Sequence, residues 1–244
     1  MGLFGRPVDL FPPSGIDADD SYFARADEKT PGRLYVGMMA QGPVPEVQRE
    51  TEGWSNVAVS PDGRKWAFTA GGDVWATTID SGVPATRVTS TAAAEGDIVW
   101  TADSRQIVYT SWRSGTPKLY AWDFVAGRER QLTSGAGRDG TPQFSPNGNH
   151  LAYTRAADEQ RELRVLEWPT GNDRRLALNV TAAPTWSPDS RWIAYGGETD
   201  EFSNVMVVPV DGGAPRQVSF LANAFLGSID WSAQGDYIVY RTNQ

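Results

Sequence analysis

One short pattern recurs five times along the chain. A bulky apolar residue precedes a Ser/Thr-headed tight turn, and a hydrophobic–small–aromatic triplet follows it. The turns are Ser60-Pro61-Asp62-Gly63, Thr101-Ala102-Asp103-Ser104, Ser145-Pro146-Asn147-Gly148, Ser187-Pro188-Asp189-Ser190 and Ser232-Ala233-Gln234-Gly235, spaced 41, 44, 42 and 45 residues apart. A fixed period in the low forties means that each repeat is one supersecondary unit that buries its apolar face only against its neighbours. Four-stranded antiparallel blades set radially meet that demand, so the expected fold is an all-β propeller.

Within a repeat the segments are short, β-branched or aromatic, and separated by Gly, Pro, Asp and Ser. Pro fixes φ at the second turn position, Asp bonds its own downstream backbone, and Gly accepts positive φ, so the turn is a hairpin whose residues carry structure. The returning strands read Trp66-Ala67-Phe68, Ile107-Val108-Tyr109, Leu151-Ala152-Tyr153, Ile193-Ala194-Tyr195 and Ile238-Val239-Tyr240. Large–small–large suits a central strand packed on both faces. Third strands are expected at 74–79, 119–124, 163–168 and 205–210, and fourth strands at 85–89, 129–133, 174–178 and 215–219.

The fifth repeat stops four residues after Tyr240. Its missing half has counterparts upstream of the first turn, where Leu34–Met38 resembles a third strand and Glu46–Arg49 a fourth. N-terminal outer strands joined to C-terminal inner strands would close the ring and remove open edges. At about 42 residues per blade, residues 33–244 make five blades. Six would follow if the leader supplied further strands. Residues 1–32, with Pro7, Pro12, Pro13, Pro31 and the acidic run Asp17-Ala18-Asp19-Asp20, read as an extended leader.

Composition removes several function classes. A net charge of −8 argues against nucleic acid or an anionic membrane as partner. No run of 18 apolar residues offers a membrane span. With no cysteine there are no thiolate metal sites and no Cys nucleophile, and the lone His150 leaves neither a multi-His metal site nor a convincing triad. No metal or cofactor is therefore expected. Ten tryptophans fit packing between blades better than ligand binding. Met1 to Arg6 carries no secretory signal, which reads as cytoplasmic for the sequence as written and as periplasmic for a mature form.

The bulky residue–Ser-Pro-Asp-Gly turn followed by hydrophobic–Ala-Tyr resembles the TolB-type propeller repeat, which also occurs in the non-catalytic propellers of tricorn-like and prolyl-oligopeptidase-like peptidases. The likeness covers about residues 34–242. Trp186-Ser187-Pro188-Asp189-Ser190 with Ile193-Ala194-Tyr195 is its cleanest copy, while Ala102, Ala233 and Gln234 depart from it. Residues 218–223 leading to Ile229-Asp230-Trp231-Ser232 look most like a tricorn-like propeller. The resemblance implies a module that binds proteins or peptides, or one that gates substrate for a neighbouring peptidase domain. The sequence itself holds no Gly-x-Ser-x-Gly elbow, so a non-enzymatic, monomeric binding scaffold is expected.

If strands alternate in direction, the Ser-headed turns share one face and the longer loops share the other, which is where function concentrates. The candidate binding residues on that face are Trp54, Trp112, Arg113, Arg138, Asp139, Arg155, Glu198, Phe220, Phe225 and Arg241, a mix of aromatics and arginines suited to a protein partner. The starts of the inner strands offer Asn56, Asp97, Thr141, Ala183 and Ser228 to a central channel, a ring too poor in oxygen ligands for Ca²⁺. A glycoside hydrolase would need converging carboxylates, for which Asp97, Asp139 and Asp230 are the nearest set.

Overall fold

The computed structural model describes residues 54–79, 84–199, 202–222 and 225–243, together with strands at 22–26, 33–38 and 46–49. Every regular element among them is a β-strand, and no helix is long and apolar enough to cross a membrane. The chain falls into two compact units, residues 1–92 and 93–244.

In the first unit, β1 (Tyr22–Ala26), β2 (Arg33–Met38) and β3 (Glu46–Arg49) form a three-stranded antiparallel sheet. There β4 (Trp54–Val59), β5 (Lys65–Ala70), β6 (Asp73–Thr78) and β7 (Thr86–Arg87) form the first four-stranded sheet. The second unit opens with β8 (Glu95–Trp100), β9 (Gln106–Ser111), β10 (Lys118–Asp123) and β11 (Arg128–Gln131), the second sheet. The third sheet is β12 (Arg138–Phe144), β13 (His150–Ala157), β14 (Gln160–Glu167) and β15 (Asp173–Ala177). The fourth is β16 (Val180–Trp186), β17 (Trp192–Thr199), β18 (Phe202–Pro209) and β19 (Arg216–Gln217). A two-stranded sheet, β20 (Phe225–Trp231) with β21 (Ile238–Asn243), follows. Four-stranded antiparallel sheets in sequence order are the blades that the repeat demanded.

One expectation at the N-terminus changes. Tyr22–Ala26 is a strand paired with β2, so the leader boundary expected at residue 32 falls inside a hairpin. Those five residues contain two aromatics and neither Gly nor Pro, which favours a strand over the irregular structure suggested by the prolines around them. The remainder of 1–32 lies outside the described residues. β2 carries β1 on one edge and β3 on the other. Ring closure between the N-terminal strands and β21 would join the two units and stays an expectation.

The turns are built by their own side chains. Ser60 donates its hydroxyl hydrogen to Asp62 Oδ1 at 2.6 Å and accepts the Lys65 N–H at 2.9 Å. Asp62 in turn accepts the Arg64 N–H at 3.0 Å. The same pair of side-chain bonds recurs at Thr101–Asp103, Ser145–Asn147 and Ser187–Asp189. The Ser187 hydroxyl, with the Arg191 N–H, holds the Asp189 carboxyl below the usual carboxylate range. In the fifth turn Gln234 supplies no carboxylate; Ser232 Oγ still accepts the N–H five residues on, from Tyr237, and takes that of Asp236 as well.

The core of the second unit lies between consecutive sheets. Val108, Leu119 and Ala121 pack against Leu151, Tyr153 and Leu166 of the next sheet. Ala152, Leu163 and Val165 pack likewise on Ile193, Tyr195, Val208 and Val210. Trp186 donates its indole N–H to the Gln143 carbonyl at 3.0 Å, and Trp231 to the Thr185 carbonyl at 3.3 Å. Each of these tryptophans therefore latches its first strand to the first strand of the sheet before it. At the other end of the repeat a hydroxyl after the third strand accepts an N–H near that strand's beginning: Thr89 from Val74, Thr133 from Leu119 and Ser219 from Val205.

Candidate functional site

Each first strand is bulged at the same place. Register shifts fall between Ser55 and Ala58, Gly96 and Val99, Gly140 and Gln143, Ala182 and Thr185, and Leu226 and Ile229. Asn56, Asp97 and Thr141 sit in these bulges at φ of 54°, 47° and 50°, the left-handed region in which non-glycine residues are uncommon. All five residues proposed for the channel lie at the bulges. Asn56, Asp97, Ala183 and Ser228 are exposed and Thr141 is half-buried. Asp97 Oδ2 accepts the Thr141 N–H at 3.3 Å, bridging the second and third sheets. Asn56, in the first unit, donates through Nδ2 to Thr69 Oγ1.

Two positions before the bulges at Asp97 and Thr141 stand two carboxylates, Glu95 and Asp139, whose side chains are fully buried. Burying a carboxylate requires compensation. Asp139 receives it from Arg155, its cross-strand neighbour, whose Nε and Nη2 donate at 2.6 and 2.8 Å. Lys118 adds a second cation 3.5 Å away, and its Nζ also donates to the Gly137 carbonyl. Bonding to Asp139 holds the Arg155 guanidinium above its ordinary pKa. Glu95 accepts the hydroxyl hydrogen of its own cross-strand partner Ser111 at 2.9 Å. Arg113 donates to Ser111 Oγ at 2.9 Å and Glu129 at 2.6 Å, approaches Glu95 at 3.5 Å, and lies over the Tyr120 ring at 4.3 Å. Tyr109 donates its hydroxyl hydrogen to Glu129, and burial, reinforced by that carboxylate, pushes its pKa well above the usual tyrosine value.

On the outside of this frame Arg138 stacks over Trp112 at 4.7 Å, and Trp112 is 42% exposed. The second and third sheets thus bring together five of the sequence-proposed residues: Trp112, Arg113, Arg138, Asp139 and Arg155. Asp139 is a buried anchor rather than a contact residue. Glu198, Phe220 and Arg241 are exposed on the fourth sheet, the segment after it and β21, and Phe220 is 85% exposed. The side chains of Trp54 and Phe225 lie outside the described residues.

Lys118, Glu95, Ser111, Tyr109 and Glu129 belong to the cluster and were missed. Lys118 had a signal. It occupies the repeat position just before Leu119, where Asp73 and Asn204 stand before Val74 and Val205 in the first and fourth sheets and bond the connecting segment.

Chemically the cluster is a set of ion pairs, and the Trp112–Arg138 cation–π pair is its chain neighbour, Trp112 preceding Arg113 and Arg138 preceding Asp139. Asp139, one of the three carboxylates considered for glycoside hydrolysis, is buried and paired with Arg155 and Lys118. Among the described residues no group of three or more His, Cys, Asp or Glu side chains could hold a metal. His150 stands apart from the cluster, stacked on Trp186 at 6.1 Å.

Residues 123–244, half of the chain, match the family model described as the PD40 TolB β-propeller domain. The chain is 28% identical over 82 residues to the Tol-Pal system protein TolB of Francisella tularensis, an alignment covering 33% of this chain and 19% of that protein. The chain thus spans about a fifth of the TolB relative that it matches. It is 26% identical over 265 residues to an uncharacterized protein of Agrobacterium fabrum, covering 98% of this chain and 87% of that one. Among solved structures, TolB of Acinetobacter baumannii superposes with a TM-score of 0.62 at 16% identity, over 91% of this chain and 63% of that one. A puromycin-hydrolyzing peptidase of Mycobacterium tuberculosis gives 0.63 at 18%, over 86% and 38%, and the tricorn protease gives 0.58 at 16%, over 86% and 22%. At such identities these structures speak for the fold alone. Turn chemistry, sheet order and the match over half its length agree: the chain belongs to the TolB β-propeller domain family.

Proposed function

We propose that this chain is a non-enzymatic, monomeric scaffold that binds a protein or peptide through the long-loop ends of its second and third sheets. The exposed Trp112–Arg138 pair, fixed above the buried Arg155–Asp139–Lys118 frame, carries this reading. An aromatic and an arginine held rigid at the surface are the residue types that dominate protein interfaces, and pre-organisation lowers the entropy cost of binding. The test is affinity capture from a native lysate, followed by direct titration of the purified partner against the wild type and Trp112→Ala/Arg138→Ala. A loss of affinity of about tenfold or more, with an unchanged circular dichroism spectrum, supports the reading. Equal affinity of the two proteins moves the contact surface elsewhere.

A second reading makes the chain a substrate-gating propeller for a peptidase. Its support is the superposition on two peptidases, each of which is far longer than the matched region. Co-purification with a catalytic domain whose substrate size range narrows in its presence would favour that reading.

A further inference from the structure

The third turn carries the only Asn-Gly pair of the chain, Asn147-Gly148. At the repeat position of Asn147 the other three complete sheets carry Asp62, Asp103 and Asp189. In all four turns Oδ1 accepts the hydroxyl hydrogen of the residue that heads the turn and the N–H two residues on. For Asn147 the donors are Ser145 at 2.8 Å and Asn149 at 3.0 Å, and for Asp189 they are Ser187 at 2.6 Å and Arg191 at 3.0 Å. A peptide N–H only donates, so the carbonyl end of the Asn147 amide faces into the turn. Its Nδ2, on an exposed side chain, has no partner among the described residues.

Asparagine followed by glycine is a reactive pair, because no Cβ shields the glycine nitrogen. That nitrogen attacks the asparagine Cγ. The N–Cγ bond forms, the Cγ–Nδ2 bond breaks, and ammonia leaves with the proton of the glycine N–H. Solvent water then opens the cyclic imide at either carbonyl, giving aspartate or isoaspartate. In the folded turn the nitrogen is engaged: Gly148 N–H donates to the Ser145 carbonyl at 2.8 Å. Asn147 N–H donates to Ser190 Oγ of the fourth turn at 3.1 Å. On the other side, a Cβ built at Gly148 would stand 3.0 Å from the Ala102 Cβ of the second turn. The third turn is therefore held between its two neighbours, and ring closure has to free Gly148 from Ser145 first.

We propose that Asn147 is a deamidation site gated by opening of the third turn, and that its two products have opposite fates in the fold. Aspartate reproduces the side chain of Asp62, Asp103 and Asp189 and gives the same two donors a charged acceptor. Isoaspartate routes the main chain through the former side chain. It adds a carbon to the turn where Ala102 and Ser190 leave no slack. The site lies at the turn end of β12 and β13, whereas Arg138 and Arg155 stand towards their loop end, so it does not rest on the binding reading.

The test incubates the full chain in mildly alkaline buffer, folded and in urea. After proteolysis the fragment holding Asn147 is followed by mass spectrometry, with isoaspartate separated by chromatography. Deamidation is expected to be at least about tenfold slower in the folded chain. Ser190→Ala should speed it about fivefold when folded, the factor that one ordinary hydrogen bond is worth, and leave the rate in urea unchanged. Asn147→Asp, the aspartate product made directly, should unfold at the wild-type urea midpoint or above it. The isoaspartyl fraction of aged protein should unfold below it. Absence of deamidation at Asn147 in urea overturns the site. Equal rates folded and unfolded, or equal rates for the folded wild type and Ser190→Ala, overturn the gate. An Asn147→Asp midpoint well below the wild type, or an isoaspartyl fraction as stable as its parent, overturns the two fates.

Discussion

Lys118 Nζ lies 3.5 Å from Asp139 Oδ2, with both side chains 2% exposed or less, and the contact joins the third strand of one sheet to the first strand of the next. An ion pair so placed is costly to form and more costly to break, because removing one partner leaves a buried charge uncompensated. Asp139→Ala is expected to destabilise the protein by about 3–5 kcal/mol in urea unfolding. The double variant Lys118→Met/Asp139→Leu should recover much of that loss. A double variant as unstable as the single would show that Asp139 acts through Arg155 alone.

Trp186 and Trp231 make the same latch in unequal surroundings. Trp186 is 7% exposed, while Trp231 is half-buried, so less ring packing is lost at Trp231. Trp186→Phe should cost roughly 1–3 kcal/mol from the stranded Gln143 carbonyl, in addition to the lost ring volume. Trp231→Phe should cost less. Equal shifts in unfolding midpoint would locate the role of both residues in packing alone.

Ser190 occupies φ of 61° where three of the equivalent turns place Gly63, Gly148 and Gly235 and the fourth places Ser104. It also accepts the Asn147 N–H at 3.1 Å from the neighbouring turn. Ser190→Gly relieves backbone strain and loses that bond, two effects each of about 1 kcal/mol, so it should be close to neutral. Ser190→Ala keeps the strain and loses the bond. It should be the less stable variant, and thermal unfolding of the pair gives the order directly.

Burial pushes the Tyr195 hydroxyl up to about 12, above its unfolded value near 10. The folded state therefore favours the neutral phenol. Its stabilising contribution is complete below pH 10 and is lost as the pH rises through 10–12. Urea midpoints should fall across that window, and Tyr195→Phe should lessen the fall. Identical pH profiles for the two proteins would place the alkaline sensitivity elsewhere.

The architecture was legible because the repeat is written in residues with few conformational alternatives. Ser-Pro-Asp-Gly admits little besides a tight turn, and large–small–large admits little besides a strand packed on both faces. Asn56, Asp97 and Thr141 fall at one repeat position in the sequence, but nothing in it foretold that the strand bulges there. The frame of the loop-end site was not legible either. Glu95, Lys118 and Glu129 lie in three different strands of one sheet, and no spacing along the chain foretells that Lys118 reaches Asp139 in the following sheet. The pairing of β1 with β2 was hidden by the surrounding prolines, which mark the segment as irregular although Tyr22–Ala26 itself contains none.

Indole latches tie the fourth sheet to the third and β20 to the fourth, so cohesion along this part of the chain is a matter of adjacent links. Under mechanical load such a chain yields at its terminal link first. Drawn from Gln244 in an optical trap, it is expected to lengthen in steps, each releasing roughly one repeat of about 42 residues. A single all-or-none rupture would mean that the links share the load.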